Sequence, residues 1–510
     1  MRLSSKHRNA KTMIRADFSG GLNCSTNPDG IKENQLAVCE NMEVDHSTGR
    51  LKTVAGTKEL IKFSSGTKII AAAYDEINRK ILVVLSDKSL YAIDASKQTI
   101  DNMSYVIVNG SINGELYPIS AAWEDGLLIA TGDKLQYFDG LNLKTISTSP
   151  DKCTAVYVRA GRVVVTDEKN VRYSGVGDEE NWTERTNDDS TSKFLEVGYK
   201  DGGEVIGMIS LSQDIMFIKN NRHVYRLAGE FPQWTLNEVS RNVECAGRLS
   251  FCSVADAVFI LGRNEVQVLQ TVEQYGAVKP NNVAILVKKE IQQLPPNAKV
   301  RFIPPLEQVW FIGTGGNVLF YDLVTKSWFK RIFNSEVVDV ISIGDNVYIV
   351  KPDRISKLDE DTFYDNGEPM RWKFQGQRMI SQYDYFLKRT QVSVIPMSAE
   401  LYAGQISVGA VRVPLPIPSN NIGIFGNQSP VYKNQTKVPL RERQRYVYTK
   451  GEPVIDNISP VCGSNDPVFT RQTYIKESRN VYRSKILDIK GFGEAGGFLL
   501  NHIIFDVAEV

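Results

Sequence analysis

Across 510 residues, 60 Lys+Arg stand against 59 Asp+Glu for a formal charge of +1, with four His. With 42% hydrophobic and 23% charged residues the composition is that of ordinary globular domains, which argues against a disordered chain; the near-zero balance argues against a nucleic-acid binder driven by bulk charge. No apolar run approaches the ~18 residues that span a bilayer, and Met1 to Thr12 is basic and polar without the apolar stretch of a secretory signal.

The six cysteines (Cys24, Cys39, Cys153, Cys245, Cys252, Cys462) are scattered and include no C-x-x-C pair, and the four histidines (His7, His46, His223, His502) lie far apart in sequence. This disfavours a zinc site or a histidine triad and reads as reduced, buried thiols in a chain made in a cytoplasm. No metal or cofactor is expected.

In chain order, residues 1–60 read as an arm rich in Gly and Asn turns. From about residue 61 one unit recurs: a short apolar run, a polar turn, then an alternating run. Its copies begin at Ile81, Leu127, Val163, Ile215, Val258, Val309 and Val347. Each copy has the pattern of a β-hairpin, with β-branched and aromatic residues flanking Gly, Asn or Asp turns. The starts are spaced about 44 residues apart, the period of propeller blades, each a four-stranded sheet packed on its neighbours. The expected fold is therefore all-β: a β-propeller over 61–368 of about seven blades, with six to eight compatible with the spacing. One short helix is expected within 277–293, stopped by Pro295-Pro296.

A shift in charge marks residues 369–510 as a C-terminal β-rich domain. From Met370 onward there are 18 basic and 11 acidic residues, against 42 and 48 before it. Alternating prolines in Val413 to Pro418 favour an extended connector. Gly423 to Gln444 reads as a long polar loop, and Leu499 to Val510 as a final strand with Ile503, Phe505 and Val507 on one face.

Several motifs bear on chemistry. Gly491 to Gly496 fits G-x-G-x-x-G, but a dinucleotide site needs a following helix and an acidic residue about 20 positions on, so a glycine-rich hairpin turn is expected. The acidic stretch Asp359 to Gly367 lacks the glycine of a calcium loop and reads as solvated. Tyr173 to Thr183 is a distinctive connection whose Trp182 is expected to pack between blades. The densest basic stretch, Arg441, Arg443 and Arg445 with Tyr446, is the candidate partner contact: its charges and ring could dock an acidic partner or grip phosphates. No catalytic residues are expected.

The arm segments Asp17-Phe18-Ser19-Gly20-Gly21-Leu22-Asn23, Pro28 to Gln35, Glu40-Asn41-Met42-Glu43-Val44 and Gly49 to Thr57 resemble the opening of the tail hub or nozzle proteins of short-tailed bacteriophages, also called tubular tail or packaged-DNA stabilisation proteins. The connections at Tyr173 to Thr183 and Arg226 to Pro232 are similar to connections in that group. The resemblance implies a structural virion protein rather than an enzyme: a homo-oligomer, hexameric in the family, forming a ring or tube below the portal and adaptor. Such a ring retains packaged DNA and conducts double-stranded DNA during ejection, without sequence recognition. Tail fibre, spike or needle proteins attach around it. The location implied is the virion tail after synthesis in the host cytoplasm. The competing expectation is a free-standing carbohydrate- or protein-binding β-propeller.

Overall fold

The computed structural model describes residues 11–63, 66–95, 105–185, 188–229, 233–271, 278–397, 403–415, 474–479, 482–494 and 496–509. Among these the architecture is nearly all β, built of many small antiparallel sheets; the one α-helix is the turn Lys288–Ile291, preceded by a 3-10 turn at Ile285–Val287. No helix among the described residues is long and apolar enough to cross a membrane.

The apolar runs become strands for a local reason. In the first repeat, Lys80–Leu85 pairs antiparallel with Ser89–Asp94. Asp87 closes the turn between them by accepting from the Ser89 N–H at 3.0 Å, while Lys88 takes the left-handed conformation (φ 67°). The same carboxylate device recurs at other turns. Asp139 accepts from the N–H groups of Leu141 and Asn142, and Asp167 from those of Lys169 and Asn170. An Asp side chain that mimics a backbone turn is the physical content of the polar spacers in the repeat.

The chain divides into two compact units, one of residues 59–319 and 335–357, the other of residues 1–58, 320–334 and 358–510. In the first unit, five complete four-stranded sheets follow one another in strict chain order, starting with Ile69–Asp75, Ile119–Trp123, Ala155–Arg159, Val205–Leu211 and Phe251–Val254. Two further sheets start with Lys299–Ile303 and Asp339–Ile343. The second strands Gly126–Ala130, Arg162–Thr166 and Ala257–Leu261 are buried at every residue. Strands covered on both faces favour apolar side chains along most of their length, which is why the sequence shows continuous runs there instead of alternation.

Neighbouring sheets share cores. Leu82 and Leu90 of the first sheet pack with Leu127, Ile129 and Phe138 of the second. Leu128 and Leu135 of the second join Val156, Val163 and Val165 of the third, with Trp182 against them, as expected for a residue between repeats. The last sheet returns to the first: Ile341, Tyr348 and Val350 share a cluster with Ile81, Val83 and Leu85. Leu60, Ile61 and Phe63 complete that cluster, so chain from just before the first repeat closes the last one. The starting strands touch in sequence, each against the next, and Asp339–Ile343 lies against Ile69–Asp75.

The other unit holds two sheets whose strands come from both ends of the chain. Phe498–Glu509 runs between Met379–Pro396 and the arm strands Lys11–Arg15 and Leu51–Thr53. A five-stranded sheet runs from Val38–Glu40 through Arg371–Gln375, Ile489–Glu494 and Ala403–Val408 to Val411–Pro414. Arm and carboxyl region, expected as separate segments at 1–60 and 369–510, are thus interleaved. Ile503, Phe505 and Val507 are buried, as their shared face implies. Pro414 sits on an edge strand, where its missing N–H costs no ladder bond.

Two expectations are corrected. Gly491 and Gly493 lie inside the strand Ile489–Glu494, paired on both sides, rather than in a hairpin turn. A Cβ on Gly491 would come within 2.2 Å of the Phe374 ring, so close packing and not a turn requires the glycine. The acidic stretch is not wholly solvated either. Asp365 is buried and accepts hydrogen bonds from the Thr57 hydroxyl at 2.6 Å and the Asn334 N–H at 2.7 Å.

Candidate functional site

The most unusual electrostatic feature of the first unit lies where its starting strands begin. Asp339, the first residue of its strand and almost fully buried, takes a bidentate pair from Arg301: Nε to Oδ1 at 2.9 Å and the Nη2 group to Oδ2 at 3.0 Å. The Tyr117 hydroxyl donates to the same carboxylate and accepts from the Ala72 N–H at 3.3 Å. Arg248 donates to the carbonyl of Tyr117 at 3.1 Å and to that of Thr154. Lys299 donates to the Val338 carbonyl and holds its ammonium 4.0 Å from the centre of the Tyr117 ring. Residues in or just ahead of the starting strands of six of the seven sheets therefore join one polar network.

Burial and charge oppose one another in this network. Burial would raise the Asp339 carboxyl, but Arg301 and Lys299 hold it below the ordinary carboxylate range. Burial works against the Arg301 charge too, and the Asp339 carboxylate outweighs it, so the guanidinium is held on more firmly than usual. For Arg248 and Lys299 burial outweighs the compensation, which comes from Glu168 for the Arg248 charge and from Asp339 and Glu336 for that of Lys299. Burial lowers Arg248 to about 10 and Lys299 to about 8. The Tyr117 phenol is pushed well up by burial and by Asp339. The hydrogen bonds of the network run to other parts of the protein and tie its strands together.

In the other unit the arm segments fold as a buckle on the strand Ser327–Ile332. Asn41, in the left-handed conformation at φ 54°, donates to the carbonyls of Ile332 at 3.0 Å and Arg371 at 2.7 Å, and accepts from the Ile332 N–H at 2.6 Å. Gly21 (φ 60°) sits so close that a Cβ would meet that of Ser327 at 2.6 Å. Ser327 donates its hydroxyl to the Ser19 carbonyl at 2.7 Å. Asp45 accepts from the hydroxyls of Ser47 and Thr48, both at 2.6 Å, and His46 Nε2 lies 2.6 Å from Asp322 Oδ2. Gly21 through its backbone and Asn41 through its side chain are thus the arm residues this docking requires.

The sequence-derived partner contact, Arg441, Arg443, Arg445 and Tyr446, lies outside the described residues. The segment Tyr173 to Thr183 is held from inside by Arg162, which is fully buried and donates to the carbonyls of Ser174 at 2.6 Å, Thr191 at 3.0 Å and Asp189. Burial pushes the thiols of Cys153, Cys245 and Cys252 up to about 12, which fits inert structural cysteines. Sequence reasoning missed the Tyr117–Arg248–Lys299–Arg301–Asp339 network. The only signal it left is a charged or phenolic residue at or near the start of an apolar strand.

No family model matches the sequence, and no curated protein matches it. Among solved structures the chain is similar to BamB from Moraxella catarrhalis, at 9% identity over 61% of this chain and 90% of that one, with a TM-score of 0.38. It is also similar to the computationally designed Ika8 protein, at 10% identity over 59% of this chain and 99% of that one, with a TM-score of 0.37.

Proposed function

We propose that this chain is a structural virion protein of a short-tailed bacteriophage: a tail hub or nozzle subunit built on a seven-bladed β-propeller. The observation that carries the reading is the arm. Its resemblance motifs contain Gly21 and Asn41, the positions that the buckle on Ser327–Ile332 demands, and Gly49, whose carbonyl accepts from the Phe18 N–H within the arm. The seven sheets in chain order, with touching first strands and a last core that rejoins the first, support the propeller. The polar network at the strand starts supports a mechanical role, because its hydrogen bonds cross from one sheet to another and resist their separation.

In this reading the chain is not an enzyme. Six copies form a ring or tube below the portal and adaptor, and double-stranded DNA is retained and later passes through without base-specific contacts. Fibre, spike or needle proteins attach to the outside, and the protein resides in the virion tail after synthesis in the host cytoplasm. Co-expression with portal and adaptor, followed by sedimentation and electron microscopy, tests it. The expected result is a sixfold ring attached to the adaptor. A protein that stays monomeric in the presence of adaptor rings overturns the reading.

A further inference from the structure

The polar network of the first unit gathers three cations, Arg248, Lys299 and Arg301, but only Arg301 holds a carboxylate, Asp339, by hydrogen bonds. Asp339 and Glu336 favour the Lys299 charge, and Glu168 that of Arg248, only through space. Buried charges are ordinarily paired, and those left unpaired mark a place where a counter-charge belongs. Two further observations sharpen this. Arg248 Nε is buried with no hydrogen-bond partner. The Lys299 ammonium has one carbonyl acceptor and the Tyr117 ring, with no carboxylate at ion-pair distance among the described residues.

Lys299 also lines a cleft of about 370 Å³ at the starts of the strands Ile69–Asp75, Lys299–Ile303 and Asp339–Ile343. That is within the size range of small-molecule sites. Its walls are largely apolar, with Ile69, Ile70, Pro295, Ile312, Val337 and Pro352. The backbone N–H groups of Ile69, Ala298, Gly313 and Val338 are already bonded within the protein, and Lys299, Asn297 and Thr314 bring polar side chains to the lining. At the exposed margin, Lys68 and Glu336 carry opposite charges that largely cancel for an incoming ion. The site that remains is a half-buried cation beside apolar walls.

We propose that this cleft binds small organic anions with one carboxylate on an apolar body, with the Lys299 ammonium as their counter-charge. The carboxylate takes the free N–H groups of Lys299 and the hydrocarbon covers the apolar walls. Every titratable or charged group around the ammonium is then accounted for. Asp339 and Arg301 form their own pair, Tyr117 presents its ring, Arg248 adds positive charge beyond that ring, and Lys68 and Glu336 stand at the solvent margin. This inference is independent of the assembly reading, because it concerns one unit of a single chain.

Calorimetric titration of the full chain with hexanoate tests it, with hexanol and hexylammonium as probes of equal length. At about pH 7 hexanoate is expected to saturate one site, and both controls are expected to bind at least ten-fold more weakly, roughly the worth of a charge-assisted hydrogen bond. At about pH 9.5 the affinity for hexanoate is expected to fall about ten-fold or more, because an amine titrating near 8 has lost its proton while the carboxylate is unchanged. Lys299→Met, which keeps the stem and removes the charge, is expected to lose the same factor, and Lys68→Met less than about two-fold. Hexanol binding as tightly as hexanoate, unchanged affinity at the higher pH, or absence of saturable binding by the unmodified chain overturns the proposal. The pH comparison uses the unmodified protein, so it decides the matter even if a variant fails to fold.

Discussion

Asp339 shows how much one residue can carry. It is buried, joined to Arg301 by two hydrogen bonds and to Tyr117 by a third, and its removal leaves a guanidinium without its counter-charge. Asp339→Ala is expected to destabilise the chain by about 3–5 kcal/mol in denaturant unfolding, the usual cost of breaking a buried pair from one side. The effect depends on pH in a stated direction. Asp339 titrates lower when folded than when unfolded, so its contribution is complete above about pH 4, the ordinary carboxylate value, and is lost as pH falls through its lower folded value. The stability gap between parent and variant should therefore narrow on acidification below about pH 4. Lys299 behaves in the opposite way. Its folded value near 8 lies below the ordinary lysine value, so its buried charge opposes folding below pH 8 and that opposition is relieved between about 8 and 10.4. Lys299→Met should be more stable than the parent at neutral pH, with the difference fading across that interval in melts recorded at several pH values.

At the scale of elements, the arm explains its own motifs. Gly21→Ala introduces a Cβ at 2.6 Å from that of Ser327 and a side chain at φ 60°, so the segment from Phe18 to Leu22 must move. A loss of about 2–3 kcal/mol is expected from strain and misfit together, read as a lower melting temperature. Asn41→Ala removes three hydrogen bonds and leaves the carbonyls of Ile332 and Arg371 and the Ile332 N–H without their side-chain partner, at a cost of about 2–4 kcal/mol. Hydrogen exchange should then rise in Ser327–Ile332 and Arg371–Gln375 while the sheets from Ile69 to Val254 stay protected. Equal loss of protection throughout would mean that the buckle is not a local device.

At the scale of the molecule, the repeat was the legible part. Apolar runs at a period of about 44 residues mark hairpins, because a strand covered on both faces has few polar positions to interrupt it. The strands Lys80–Leu85, Gly126–Ala130, Arg162–Thr166, Asp214–Lys219, Ala257–Leu261, Gln308–Ile312 and Asn346–Val350 each begin within a residue of the repeat starts read from the sequence. The boundaries around the repeat were not legible. The arm pairs with the carboxyl strands, and residues 320–334 group with them, because strand partners are chosen by shape and register across hundreds of residues and leave no local periodicity. Under the proposed ring reading, variants of Arg441, Arg443 and Arg445 to Ala are expected to weaken a tail contact by about ten-fold or more while the melting temperature stays unchanged. Loss of soluble protein would instead assign those residues to the core.

By itself the sequence determined the fold class, the hairpin repeat, the near-neutral total with its uneven halves, and the turn chemistry of Asp, Asn and Gly. These follow from local forces: side-chain alternation, steric limits on φ and short-range capping. Only the tertiary structure decided that Tyr117 and Asp339, 222 residues apart, share a proton donor and acceptor, and that Arg248 and Lys299 join them. Desolvation is a property of the packed interior, so neither the depressed amine nor the orphaned guanidinium nitrogen can be read from a residue and its neighbours in sequence.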